Sequence, residues 1–236
     1  MKLLLTSGGV TNTSISNALV NLLGKPIAES SALYIPTALY ANPNSALMVA
    51  RLIRGEFGYP FSQHMDAKDF HPLCGMGWKS LGVLELTALP SVNKDNWVPL
   101  LQETDVLLVE GGDAVYLAHW MRQSGLADLL PTLRPETVYV GLSAGSMVMT
   151  PNIGEEFVGW LPPSGGDETL GLVDFAIAPH LDYPTFPENS MAELEKWAAK
   201  MHVPAYLIDD ETAIQVVGGV IEVISEGHWK LIPHTL

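Results

Sequence analysis

The segment Val138-Tyr139-Val140-Gly141-Leu142-Ser143-Ala144-Gly145 surrounds one serine with the smallest residues available. Gly and Ala let backbones approach closely, which alone would suit a tight turn. The same Gly-x-Ser-x-Gly pattern suits a serine on a sharp strand-to-helix bend, its hydroxyl exposed as a nucleophile. A serine alcohol attacks poorly until an imidazole removes its proton, and the imidazole needs a carboxylate to fix its tautomer. Candidates for both follow downstream: Pro179-His180 after one apolar run, and Asp209-Asp210-Glu211 after another. Upstream, Glu110-Gly111-Gly112-Asp113 follows a third run, and the N–H groups of a Gly-rich turn can hold a tetrahedral oxyanion. Each group also has a structural reading: a small packed serine, a core histidine, the start of a helix, a capping or solvated acidic turn. Their common placement after apolar runs favours chemistry.

Those runs must be the elements that position them. Strands are expected over 2–6, 32–35, 83–86, 105–109, 137–141, 175–178 and 205–208, with a hairpin of 212–217 and 219–224 turning at Gly218-Gly219. Helices are expected over 13–23, 43–57, 114–124, 143–150 and 187–201. The alternation implies a three-layer α/β fold, a mainly parallel sheet covered by helices on both faces. "DVLLVE" and "VYVG" are nearly continuously apolar, as strands buried on both faces should be. Reactive groups gather at the carboxyl ends of such strands, so all four candidates are expected at one edge of one sheet. Segments 63–78 and 155–171 read as loops.

A chain of 236 residues suits a single domain, 1–236. The net charge of −14, from 12 Lys+Arg against 26 Asp+Glu, and the lack of a basic stripe argue against nucleic acid as a partner. No apolar run reaches the roughly 20 residues that span a bilayer, so no membrane partner is expected. The N-terminal "MKLLLTSGG" reads as a buried strand and not as a signal peptide. The single cysteine, Cys74, fits a reducing compartment, and a cytoplasmic location is the expectation. No metal and no cofactor are expected, and the chain is expected to be a monomer or homodimer.

With these residues in view, the sequence resembles the peptidase E family, serine peptidases that include aspartyl dipeptidases and are related to cyanophycinases. The resemblance implies a class I glutamine-amidotransferase-like (flavodoxin-like) fold. It implies Ser143 of "GLSAG" as nucleophile, His180 of "APH" as base, and Asp210 of "IDDETAI" as the acid, where a glutamate is usual. "EGGDAVYL" corresponds to the family's Gly-Gly-Gly-Asn turn, with Gly112 and Ala144 supplying the oxyanion hole. The departures are Glu110 for glycine and Asp113 for asparagine. The family's arginine-containing stretch after the histidine is here "PENSMAELEKWAAK", whose only cations are Lys196 and Lys200. The implied activity is hydrolysis of short peptides from the N-terminus. An acidic N-terminal residue would lack a partner, while Glu110, Gly111 and Asp113 stand where a substrate ammonium group could be held. Asp209 and Glu211 rival Asp210 as orienter.

Two other functions compete. An α/β-hydrolase orders its triad Ser, acid, His, which Asp210 with His228 or His234 would satisfy. A binding or regulatory protein on the same fold would have lost catalysis. "HMDAKDFH" (His64, Asp66, Asp69, His71) has no common zinc spacing and reads as a solvated loop. Cys74 follows no strand and is not expected to act as a nucleophile. Trp160, in the long loop, is a candidate to line a substrate pocket.

Overall fold

The computed structural model describes residues 1–42, 45–54, 73–163 and 165–234. Its centre is five parallel strands, β1 (Lys2–Thr6), β2 (Ser31–Ile35), β3 (Ser80–Val83), β4 (Val106–Val109) and β5 (Val138–Leu142), in spatial order β3-β2-β4-β5-β1. Alternate side chains leave opposite faces, and both faces are covered. Leu3, Leu5, Leu107, Val109 and Tyr139 enter one core; Leu4, Val106, Leu108, Val138 and Val140 enter the other. That double burial is why these runs carry no polar alternation.

β6 (Ala176–Ala178) and β7 (Ala205–Ile208) do not join this sheet. They pair in parallel with each other, and β10 (Trp229–Ile232) adds antiparallel to β7, giving a separate three-stranded sheet. One face buries Ile177, Tyr206 and Ile208 in the first core, while Ala176, Ala178 and Leu207 pack on α7 (Met191–Ala198) through Leu194 and Trp197. The expected single sheet edge is therefore two edges, brought together by this packing. β8 (Thr212–Val217) returns to the main sheet antiparallel to β1, and β9 (Val220–Ser225) pairs with β8 across the Gly218-Gly219 turn, both glycines at positive φ.

α1 (Thr13–Leu23) begins at Asn12, whose side chain accepts the Ile15 N–H at 2.9 Å. α4 (Ala114–Ser124) matches expectation; α2 spans Ser45–Ile53, and the flanks of the expected 43–57 helix lie outside the described residues. α6 is a short turn, Ala144–Met147, and α7 is preceded by a 3₁₀ turn at Pro187–Asn189. α3 (Val98–Glu103), α5 (Leu126–Leu129) and β10 have no counterpart in the sequence reading, and β3 lies three residues before its expected start. Leu84 and Leu86 are buried beyond the end of β3, which draws an apolar-run reading toward them. No helix among the described residues is long and apolar enough to cross a membrane.

Candidate active site

Ser143 joins β5 to α6 with φ 50° and ψ −111°, a conformation that costs a non-glycine about 1–3 kcal/mol. Neighbouring bonds hold it there. Its N–H donates to Thr6 O at 3.0 Å, and its carbonyl accepts the Ser146 and Met147 N–H groups at 2.8 and 2.9 Å. The bare neighbours are now explained. A Cβ on Gly145 would stand 2.2 Å from Val109 O, and one on Gly141 would stand 2.5 Å from Gly145 O. Larger residues would push the bend off β4.

His180 follows β6 and Asp210 follows β7. The imidazole Nε2 lies 2.8 Å from Ser143 Oγ, and Nδ1 lies 2.7 Å from Asp210 Oδ1. A proton on Nδ1 then leaves Nε2 as the acceptor for the serine hydroxyl. Burial pushes the Asp210 carboxyl up, but the hydrogen bond and charge of His180 and the Ser7 hydroxyl outweigh it and hold the group below its ordinary value. Asp209 is turned away: Oδ1 accepts Thr212 Oγ1 at 2.5 Å, and Oδ2 accepts the His228 N–H at 2.6 Å. Glu211 is exposed. His228 sets Nδ1 against Asp209 and Nε2 against Asp182, both at 3.0 Å, and His234 is an exposed residue near the chain's end.

Ser7 is the residue that the sequence reading passes over. Its hydroxyl donates to Asp210 Oδ1 at 2.6 Å and accepts the His180 backbone N–H at 2.7 Å, so one buried side chain ties Asp210 to His180. The next residue must be bare, because a Cβ on Gly8 would lie 2.8 Å from Asp210 Cβ. The signal was available: "TSGG" follows the first strand as the other candidates follow theirs.

In the Gly-rich turn, Gly112 has φ 134°, and a Cβ there would stand 2.4 Å from Ala38 O, so only glycine fits. The N–H groups of Gly112 and Ala144 have no hydrogen-bond partner among the described residues. Gly111 packs on the Ser143 bend, where an added Cβ would stand 3.3 Å from Ser143 Cβ. Glu110 is buried behind the turn, with Oε2 accepting from Tyr34 Oη at 2.8 Å and Oε1 from the Gly111 N–H at 3.0 Å. Burial raises its carboxyl above the ordinary value, partly offset by those two bonds. Asp113 caps α4 by accepting the Tyr116 N–H at 2.8 Å, and its second oxygen accepts the Trp160 N–H at 2.6 Å. The expectation that Glu110 and Asp113 receive a substrate ammonium group does not agree with these placements: one carboxyl is sealed under the turn and the other braces a helix and a loop.

The match to known proteins decides the lineage. Residues 62–224, most of the chain, match the model of peptidase family S51. The chain belongs to peptidase family S51. An uncharacterized peptidase of Pasteurella multocida (strain Pm70) is 29% identical over 123 residues, covering 49% of this chain and 58% of that protein. One from Listeria monocytogenes is 26% identical over 125 residues, covering 50% and 59%. The matched stretch thus spans under two thirds of these curated relatives. A candidate peptidase E protein from Listeria monocytogenes EGD-e superposes with a TM-score of 0.60 at 18% identity over 96% of this chain and 98% of its own. A peptidase from an acI-B1 Actinobacterium gives 0.56 at 16% identity over 98% and 87%. The fold is accordingly the class I glutamine-amidotransferase-like α/β fold of peptidase E.

Within this family S51 chain, the two lysines of "PENSMAELEKWAAK" are taken up in surface ion pairs. Lys196 pairs with Glu193 at 2.6 Å, Lys200 pairs with Glu156, and both lysines are exposed. Trp160 packs edge-on against Tyr116, with centroids 5.3 Å apart. Beside it, a cavity of about 210 Å³ opens between α4 and the 155–171 loop, lined by Val115, His119, Arg122, Pro162 and Glu168 among others. Cys74 is unsuited to attack, since burial and then the Glu110 charge push its thiol up to about 12. The segment "HMDAKDFH" lies outside the described residues, and no cluster able to hold a metal occurs among the described ones.

Proposed function

We propose that this chain, acting as one domain, is a serine-dependent peptidase that cleaves short peptides from a free N-terminus through a Ser143–His180–Asp210 triad. One observation carries the reading: Ser143 Oγ, the imidazole of His180 and the Asp210 carboxylate stand in a continuous line of contacts at 2.8 and 2.7 Å. In the first step Ser143 Oγ bonds to the scissile carbonyl carbon while its proton passes to His180 Nε2. Asp210 stabilises the imidazolium without taking its proton. The oxyanion is held by the N–H groups of Gly112 and Ala144, whose hydrogens have no competing partner among the described residues. His180 then protonates the leaving amine as the C–N bond breaks, and water releases the acyl group by the reverse relay.

The free N-terminus is supported by the dipeptidase resemblance and by the net charge of −14, which draws in an ammonium group at long range. The same charge, and the absence of arginine after His180, weigh against an acidic first residue. A panel of X-Leu dipeptides with every X, each compared with its N-acetyl form, tests this. Neutral X should be cleaved, acetylation should suppress cleavage, and Asp-Leu should be poor. Strong selective cleavage of Asp-Leu would restore the ordinary aspartyl dipeptidase assignment.

A further inference from the structure

Beyond His180 the chain folds back on itself in successive turns. Tyr183 N–H donates to His180 O at 3.2 Å, Phe186 N–H to Tyr183 O at 2.9 Å, and Asn189 N–H to Phe186 O at 2.9 Å. The Asn189 side chain closes the loop onto Pro179 O at 3.1 Å. The result is a pair of half-buried rings beside the imidazole. The Phe186 ring centroid lies 5.7 Å from that of His180 and the Tyr183 centroid 6.1 Å, with 5.5 Å between the two rings.

The chemistry gives this wall a direction. His180 Nε2 must hand its proton to the leaving amine, so the residue that owns that amine sits on the His180 side of Ser143. The acyl oxygen sits on the other side, toward Gly112 and Ala144. The loop sets two half-buried aromatic rings beside His180, and its only charged side chains, Asp182 and Glu188, are acidic. An apolar side chain would gain contact and shed water there, whereas a carboxylate would meet the loop's own acids.

We propose that Tyr183 and Phe186 form the subsite for the residue following the scissile bond, and that they select an aromatic or large aliphatic side chain. This deepens the peptidase reading above and rests on it. The step is the one already written: Ser143 Oγ–C forms as C–N breaks, and the proton of Ser143 leaves on the amine of the selected residue. The loop's closed turns fix the wall before substrate arrives, so little ordering cost falls on binding.

Dipeptides Ala-X with X as Gly, Leu, Phe, Glu or Lys supply the test. The expected kcat/KM for Ala-Phe and Ala-Leu is about tenfold or more above Ala-Gly, with Ala-Glu lowest, a scale usual for an apolar pocket. Phe186→Ala should collapse the Phe-to-Gly ratio toward one, and Phe186→Leu should keep the preference for leucine. A loss shared equally by every X would make the rings mere support for His180 and overturn the proposal. Calorimetric binding of the same peptides to Ser143→Ala reads the subsite without turnover. Ala-Phe should bind about tenfold tighter than Ala-Gly, and equal affinities would overturn the subsite. That binding order without any cleavage by the wild type would sink the peptidase reading instead and leave the subsite standing.

Discussion

Among the described residues two histidines contact carboxylates, and their remaining ring nitrogens meet different partners. His180 gives one ring nitrogen to Asp210 and the other to a serine hydroxyl; His228 gives both of its nitrogens to acids, Asp209 and Asp182. The first pair is sheltered, with both side chains 22% exposed, whereas the His228 side chain is 54% exposed. An imidazole can orient through one nitrogen and react through the other only when the second faces a proton donor. His228 has no nitrogen left for one. It fastens the loop after His180 to the turn after β7, a structural task of modest energy for so exposed a group. Residue type and pairing are the same in both places; the third partner and the burial separate the proposed base from a clasp.

The largest effects should come from breaking the first set. Ser143→Ala and His180→Ala are each expected to lower kcat by about 10³-fold or more, with melting temperature unchanged for Ser143→Ala, since alanine meets the same backbone strain. Steady-state kinetics beside thermal melts checks both. Asp210→Asn should lose kcat on a similar scale, because the amide favours the wrong tautomer of His180. Asp209→Asn should do the opposite, lowering the melting temperature while leaving most of kcat, since its bonds go to Thr212 and His228.

Acid titration sharpens the contrast further. The Asp210 carboxyl is held below its unfolded value, so its stabilisation is present above the ordinary carboxylate range and is lost as pH falls through the folded value. The gap in melting temperature between wild type and Asp210→Asn should therefore narrow as the pH drops through that window. Glu110 has the reverse sign. Its carboxyl is raised in the fold, so stability falls as pH rises from the unfolded toward the folded value, and Glu110→Gln should flatten that fall. The smallest effect is expected from His228→Gln, with kcat/KM within about threefold of wild type, as an exposed ion pair predicts.

Much of the site was legible because its constraints are local. The Gly-x-Ser-x-Gly pattern reports a bend so tight that Gly141 and Gly145 touch neighbouring backbone, and sequence shows that directly. The helices at 13–23 and 114–124 were legible for a similar reason, as Asn12 and Asp113 cap them from the preceding residue. The division into two sheets was not, since an apolar run such as 205–208 says that a strand is buried but not beside which partner. β10 escaped because Trp229, Lys230 and Leu231 are all exposed and carry no apolar period. The burial of Glu110 depends on Tyr34, 76 residues earlier, so its carboxyl looked available when it was spoken for. That Asp209 faces away from His180 likewise needed the fold, for both aspartates stand on one short turn and differ in the direction they face.

The central claim is that His180 activates Ser143, and labelling with a small phosphonofluoridate tests it most directly. Mass spectrometry should find a single phosphonyl adduct on the peptide containing Ser143, formed in the wild type and in His228→Gln at similar rates. His180→Ala should label at most very slowly. No adduct on the wild type, an adduct on another residue, or labelling of His180→Ala as fast as the wild type would contradict the account.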